Sequence, residues 1–158
     1  MPRRLLILVI AVIALKSNSW PQMHPESISG ATFLIPGFYC GYMFGERGGF
    51  IAGVEVSVTH FVDDQSYFGV ELNFSGWHYA NKLHLGAEIG HTLLGASFGP
   101  TFVKGDSILT VGCSLTCYSV LLVVPYYSHL FLFNGDQFDE VGGYIKIPKQ
   151  LTNKDFIQ

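Results

Sequence analysis

Charge is scarce in this 158-residue chain: 13% of its side chains are Asp, Glu, Lys or Arg, against 49% hydrophobic. That is too little charge to coat a soluble domain of this length. Long apolar runs are also missing beyond about residue 20, which argues against a helical membrane protein. Cysteine is thin, with Cys40, Cys113 and Cys117 only. In an extended strand Cys113 and Cys117 would lie roughly 13 Å apart, beyond disulfide reach. They read as small apolar residues, and Cys40 could meet either of them only if strand register allowed. The six histidines, His24, His60, His78, His84, His91 and His129, are scattered, and none pairs with a cysteine or acid at metal-ligand spacing, so no metal is expected. No glycine loop has the strand-to-helix context that cradles phosphate, and no cofactor is expected. Nothing repeats and nothing is of low complexity; the length suits one domain.

What the sequence does have begins with MPRRLLILVIAVIALKSNSW. Arg3 and Arg4 form a positive start, Leu5 to Leu15 an apolar stretch, and Ser17-Asn18-Ser19 a small-x-small cleavage site, the layout of a secretory signal over residues 1–19. The apolar stretch is too short to span a bilayer. Loss of Arg3, Arg4 and Lys16 with that signal leaves six basic residues against 12 acidic ones. A mature chain of that charge argues against nucleic acid as a partner.

Tyr67 to Trp77, YFGVELNFSGW, carries two residue classes in strict alternation. Phe68, Val70, Leu72 and Phe74 share one face of an extended chain; Tyr67, Gly69, Glu71, Asn73 and Ser75 share the other. A small, mostly uncharged second face suits the inside of a narrow barrel, so the apolar face is expected to meet lipid. The same pattern recurs in Phe50–His60, Asn81–His91, Leu94–Val103 and Ser107–Cys117. Thr32–Phe44 reads as a first strand, with a bulge or bend at Pro36-Gly37, and Pro100 reads as a second bulge. Gly45–Gly49 and Asn134-Gly135-Asp136 are strong turns. Val120–Phe133 does not alternate cleanly, so Tyr126, Tyr127, Ser128 and His129 have no assignable face. Glu140–Pro148 closes the set. The expectation is all-β: an up-and-down antiparallel transmembrane β-barrel of about eight strands, the range being eight to ten. A periplasmic lead, 20–31, precedes the barrel, 32–148, and a mobile polar tail, 149–158, follows it. Trp77 and Tyr79 suit the membrane interface.

On these residues the chain resembles the small outer-membrane β-barrels of Gram-negative bacteria, the class of the OmpA transmembrane domain and OmpX. The resemblance covers Thr32 to Pro148 and includes EVGGYIKI, in which Glu140, Gly142, Ile145 and Ile147 look like the assembly signal of a last strand. It implies an outer-membrane location, with membrane lipids and the barrel-assembly machinery as partners. The chain departs from the pattern by running on past Ile147 to Gln158.

Alternation places Glu55, Glu71, Lys82, His84, Glu88, Tyr144 and Lys146 on the inner face. Acids and bases enclosed together read as an ion-paired network, because an unpaired charge there is too costly to keep. The functional version is a proton path or gated pore in which Lys82 and Lys146 bridge Glu55, Glu71 and Glu88. A lipid-modifying enzyme, of lipid A deacylase or acyltransferase type, would draw on Ser128, His129 and Glu140. Adjacent residues of a strand face opposite ways, however, whereas a serine and its histidine base must share a face. A third reading is a lipocalin-like barrel that binds a hydrophobic ligand, and a β-sandwich is a further possibility. The expectation is a barrel with a structural or interaction role and no evident catalysis.

Overall fold

The computed structural model describes residues 28–45, 47–92, 94–105, 108–119 and 124–151. The signal read at residues 1–19, most of the lead and the end of the tail lie outside them.

Eight antiparallel strands follow one another round a closed wall. They are β1 (Thr32–Phe44), β2 (Gly49–Phe61), β3 (Ser66–Trp77), β4 (Ala80–His91), β5 (Leu94–Lys104), β6 (Leu109–Ser119), β7 (Val124–Leu132) and β8 (Gln137–Lys146). Each pairs with the next, and β8 pairs with β1. Closure leaves no edge among the eight, so the ladder groups of every strand find partners on both sides. Followed from Phe33 through Thr59, Gly69, Glu88, Ser97, Thr116, Ser128 and Glu140, the register returns to β1 at Met43. That displacement is the shear that tilts the strands of a closed barrel. Consecutive strands join through short turns, so both ends of the wall lie at one rim, called here the terminal rim; the β1–β2 turn lies at the far rim.

The side chains alternate as the pattern predicts. Phe50, Val54, Val56 and Val58 of β2, Phe68, Val70, Leu72 and Phe74 of β3, and Leu83, Leu85 and Ile89 of β4 are exposed, while Glu55, Glu71, His84 and Glu88 are buried. In β7 the inner set is Val124, Tyr126, Ser128, Leu130 and Leu132.

Neither proline produces a bulge. Pro36 keeps register with Val56 of β2, and Gly37 with Glu55. Its carbonyl accepts from the Ile147 N–H at 2.9 Å, so its missing donor faces β8, where pairing lapses. Beyond Pro148 a two-residue strand, β9 (Lys149–Gln150), resumes on Leu34 and Phe33. The first residues of the expected mobile tail are therefore wall. Pro100 keeps its place opposite Cys113, and its ladder to β4 skips two residues without a shift of register. A proline that withholds one N–H leaves a gap; a bulge needs an extra residue on one strand, and there is none. All three cysteines are free.

At the terminal rim the Asp63 carboxylate accepts the N–H groups of Gln65 and Ser66 at 2.7 and 2.6 Å. These bonds favour its charged form and hold its pKa below the usual aspartate value. A carboxyl depressed in the fold stabilises the turn above its unfolded pKa, and that contribution fades as pH falls through the lowered value. An NMR titration is expected to give Asp63 a midpoint below that of a free aspartate; an ordinary midpoint would count against the turn geometry. Gly90 faces inward under the Tyr67 ring, where a Cβ would lie 2.0 Å from the Tyr67 Cζ. Gly90→Val is expected to cost about 1–3 kcal/mol by overpacking, read as a lower urea midpoint in detergent.

Candidate functional site in the barrel interior

The barrel interior is layered. At the terminal end Tyr39, Tyr67, Tyr118, Val124, Tyr126 and Tyr144 form one apolar cluster, with Phe61 packed against it. At the far end Met43, Ile51, Val103, Leu130, Leu132 and Phe138 form another, joined by Trp77 and Ala80. The ionisable groups lie within and between these clusters.

Lys82 on β4 donates to Glu140 Oε2 on β8 at 2.5 Å, and the Tyr126 hydroxyl donates to the other oxygen at 2.5 Å. Lys146 Nζ lies 2.5 Å from Glu55 Oε1 and stands 5.1 and 5.0 Å from the rings of Tyr118 and Tyr144. Glu71 accepts from Ser97 at 2.6 Å and faces His84 Nε2 at 3.3 Å, while His84 Nδ1 meets Thr101 Oγ1 at 2.9 Å. Glu88 accepts from Thr59 at one oxygen and from Tyr118, at 3.0 Å, at the other. Asn73 accepts from Tyr39 and donates to the Tyr144 hydroxyl at 3.3 Å.

All seven residues assigned to the interior by alternation, Glu55, Glu71, Lys82, His84, Glu88, Tyr144 and Lys146, thus lie inside the barrel, in several separate groups of partners. Their partners differ from the expected ones. Lys82 takes Glu140, a fourth glutamate, and Lys146 makes its direct ion pair with Glu55 while its charge also reaches Glu71 and Glu88. Glu140 shares parity with Tyr144 and Lys146 on β8, so alternation pointed to it. Tyr39 and Tyr118 were not singled out, and Tyr126 was left without a face; their rings fit inside because inward glycines give them room, as where Tyr126 lies against Gly41 and Gly142.

The three weak catalytic candidates separate. Ser128 is buried in the lumen, bonded to Ser114 and Thr116 at 2.8 and 2.9 Å. His129 is on the outer wall, with Nδ1 at 2.7 Å from Asp139 Oδ1, where Tyr127 also donates at 2.5 Å. Glu140 is held by Lys82 and Tyr126. No shared face exists for a serine, its base and an orienting acid. Of the last-strand residues, Gly142 turns inward against Gly41, and Ile145 and Ile147 are exposed on the outer wall.

The two interface aromatics separate as well. Tyr79 is exposed in the β3–β4 turn, its ring against His78 at 4.8 Å. Trp77 turns into the far mouth, 6.4 Å from the Phe138 ring, and its indole donates to the Arg47 carbonyl at 3.0 Å. It shares parity with Tyr67 and Ser75, so the inner face claims it despite its position at a strand end. Among the described residues no group of His, Cys, Asp or Glu is arranged to hold a metal.

No family model matches the chain, and no curated protein matches it. Among solved structures it is similar to a de novo designed transmembrane β-barrel, with a TM-score of 0.41 and 12% identity over 75% of this chain and 97% of that one.

Removing one member of a buried pair strands the other charge, at a cost of about 3–5 kcal/mol. Lys82→Met and Glu140→Gln are each expected to lose stability on that scale, and the double variant less than the two together. A denaturant double-mutant cycle measures this coupling; additive losses would show that the two charges do not interact.

Proposed function

We propose that this protein is an exported outer-membrane barrel with a structural or interaction role, inserted by the barrel-assembly machinery and closed to ions. One observation carries the reading: exposed apolar side chains occur on every strand from β1 to β8, while the lysine–glutamate and histidine–glutamate pairs are inside, and only His129–Asp139 among the ion pairs of the described residues lies on the outer wall. On β4 the outer residues from Leu83 to Ile89 are apolar, and Asn81 and His91 bracket them. Strands of 9 to 13 residues match the roughly 9–11 needed to cross a bilayer obliquely. A water-soluble lipocalin-like barrel would carry the opposite arrangement, apolar inside and charged outside.

Closure to ions is supported by Met43, Ile51 and Phe138, which are buried across the far end of the lumen, and by the pairing of both lumenal lysines with glutamates. A lipid-modifying activity has no such support, since Ser128 and His129 stand on opposite faces of the wall. The last-strand signal and the leader over residues 1–19 are part of the proposal through the resemblance to small outer-membrane barrels.

In a Gram-negative host the protein is expected in the outer-membrane fraction, released by detergent and with a gel mobility that changes on boiling. Extraction by buffer alone would sink the reading. Leu72→Arg, in the middle of the apolar face of β3, is expected to cost about 2–4 kcal/mol in a bilayer; a soluble barrel would tolerate it on its surface. Planar-bilayer recordings are expected to show no steady conductance.

A further inference from the structure

The terminal end of the lumen holds a cavity of about 420 Å³, within the range of small-molecule sites. Phe33, Ile35, Phe61 and Val124 give it apolar walls, and Ser57, Glu88 and Lys146 form its polar side. Ser57 stands directly across the ladder from Ile35, so the polar side begins where an apolar wall ends. Its hydroxyl, on a residue 1% exposed, has no hydrogen-bond partner among the described residues. An unpaired buried hydroxyl is costly, and a ligand that bonds to it removes the cost.

The ionisable groups around the cavity are already engaged with one another. Lys146 pairs with Glu55 at 2.5 Å and stands 5.1 and 5.0 Å from the rings of Tyr118 and Tyr144. Its charge also acts on Glu88, whose two oxygens accept from the hydroxyls of Thr59 and Tyr118. An incoming ammonium would have to compete with Lys146 for carboxylates and rings, and an incoming carboxylate would have to take Lys146 from Glu55. Either exchange breaks an enclosed pair or leaves a charge buried and unmatched, which is costly. An uncharged head avoids both. The Ser57 hydroxyl can donate to such a head or accept from it, and the walls bury an apolar body.

We propose that this cavity binds an uncharged lipophilic alcohol, its apolar body against Phe33, Ile35, Phe61 and Val124 and its hydroxyl on Ser57. This adds a ligand to a barrel read above as structural or interacting, and it stands or falls separately from membrane residence and closure, since the test reads binding and not location or conductance.

The test uses the full-length protein held in an uncharged amphipathic polymer, so that no detergent tail competes. Calorimetric titration with 4-phenylbutanol, butylbenzene, 4-phenylbutylamine and 4-phenylbutyrate, each corrected for the polymer alone, compares one body with a hydroxyl, no head, a cation and an anion. The alcohol is expected to bind saturably and at least about tenfold tighter than either ion. Its advantage over butylbenzene is expected to be about two- to tenfold, the range of one neutral hydrogen bond. Ser57→Ala removes a hydroxyl that the fold leaves unpaired, so it is expected to fold, to lower the alcohol to the level of butylbenzene and to leave butylbenzene unchanged. Ile35→Trp, which fills the cavity, is expected to weaken the alcohol at least about tenfold, whereas Thr110→Trp, in the lining of the opposite mouth, leaves it unchanged. The proposal is overturned if either ion binds as well as the alcohol, if the alcohol keeps its advantage over butylbenzene in Ser57→Ala, if Thr110→Trp and not Ile35→Trp removes binding, or if no probe saturates. Should a variant fail to fold, the ranking of the four probes by the unaltered protein still decides.

Discussion

Pairing of β8 with β1 is the constraint on which everything else in this structure rests. An open sheet of these strands would expose two rows of unpaired backbone N–H and C=O groups. Closing the sheet satisfies both rows together and divides the side chains into two populations with no traffic between them. One population faces outward and is almost uniformly apolar. The other is confined to a lumen just wide enough for its own side chains, so any charge in it must find its counterion within the same narrow space. The lysine and glutamate pairs, the tyrosine hydroxyls turned to carboxylates and the glycines beneath the rings are all consequences of that confinement.

How far the sequence could be read follows from the same division. Where the outside is apolar and the inside small and polar, as in β2, β3 and β4, period-two alternation fixed every facing, and Glu55, Glu71, His84 and Glu88 were legible as interior residues. It failed in β7 because the lumen is itself apolar at that level: Leu130 and Leu132 face in while Phe131 faces out, so both faces look alike. Pairing within the interior was not legible, because a partner such as Glu140 for Lys82 depends on shear around the wall and not on spacing along a strand. Trp77 was misplaced for a related reason. Its chemistry suits an interface, but its parity belongs to the lumen, and parity won.

The outer wall carries a polar cluster. His129, Asp139 and Tyr127 cluster near the far rim, next to Phe44 at the end of β1. Hydrogen bonding among them lowers the cost of their position, and the neighbouring Phe131 ring, 4.0 Å from the imidazole, covers part of the group. Inside, each mouth is hollow: a cavity of about 510 Å³ lies at the far end against Trp77, Val103, Leu132 and Phe138, and one of about 420 Å³ at the terminal end above Glu88.

The prolines show what this architecture tolerates over evolutionary change. Pro36, Pro100 and Pro148 each remove a donor, yet the count of residues between turns is preserved, and β9 rejoins β1 in the register that β8 left. A single inserted residue within a strand would do far more harm than a proline, since every side chain beyond it would exchange the outer face for the lumen. Length can therefore drift freely only in the turns, or within the wall by changes that keep parity, which makes the spacing of this chain more constrained than the identity of most of its residues.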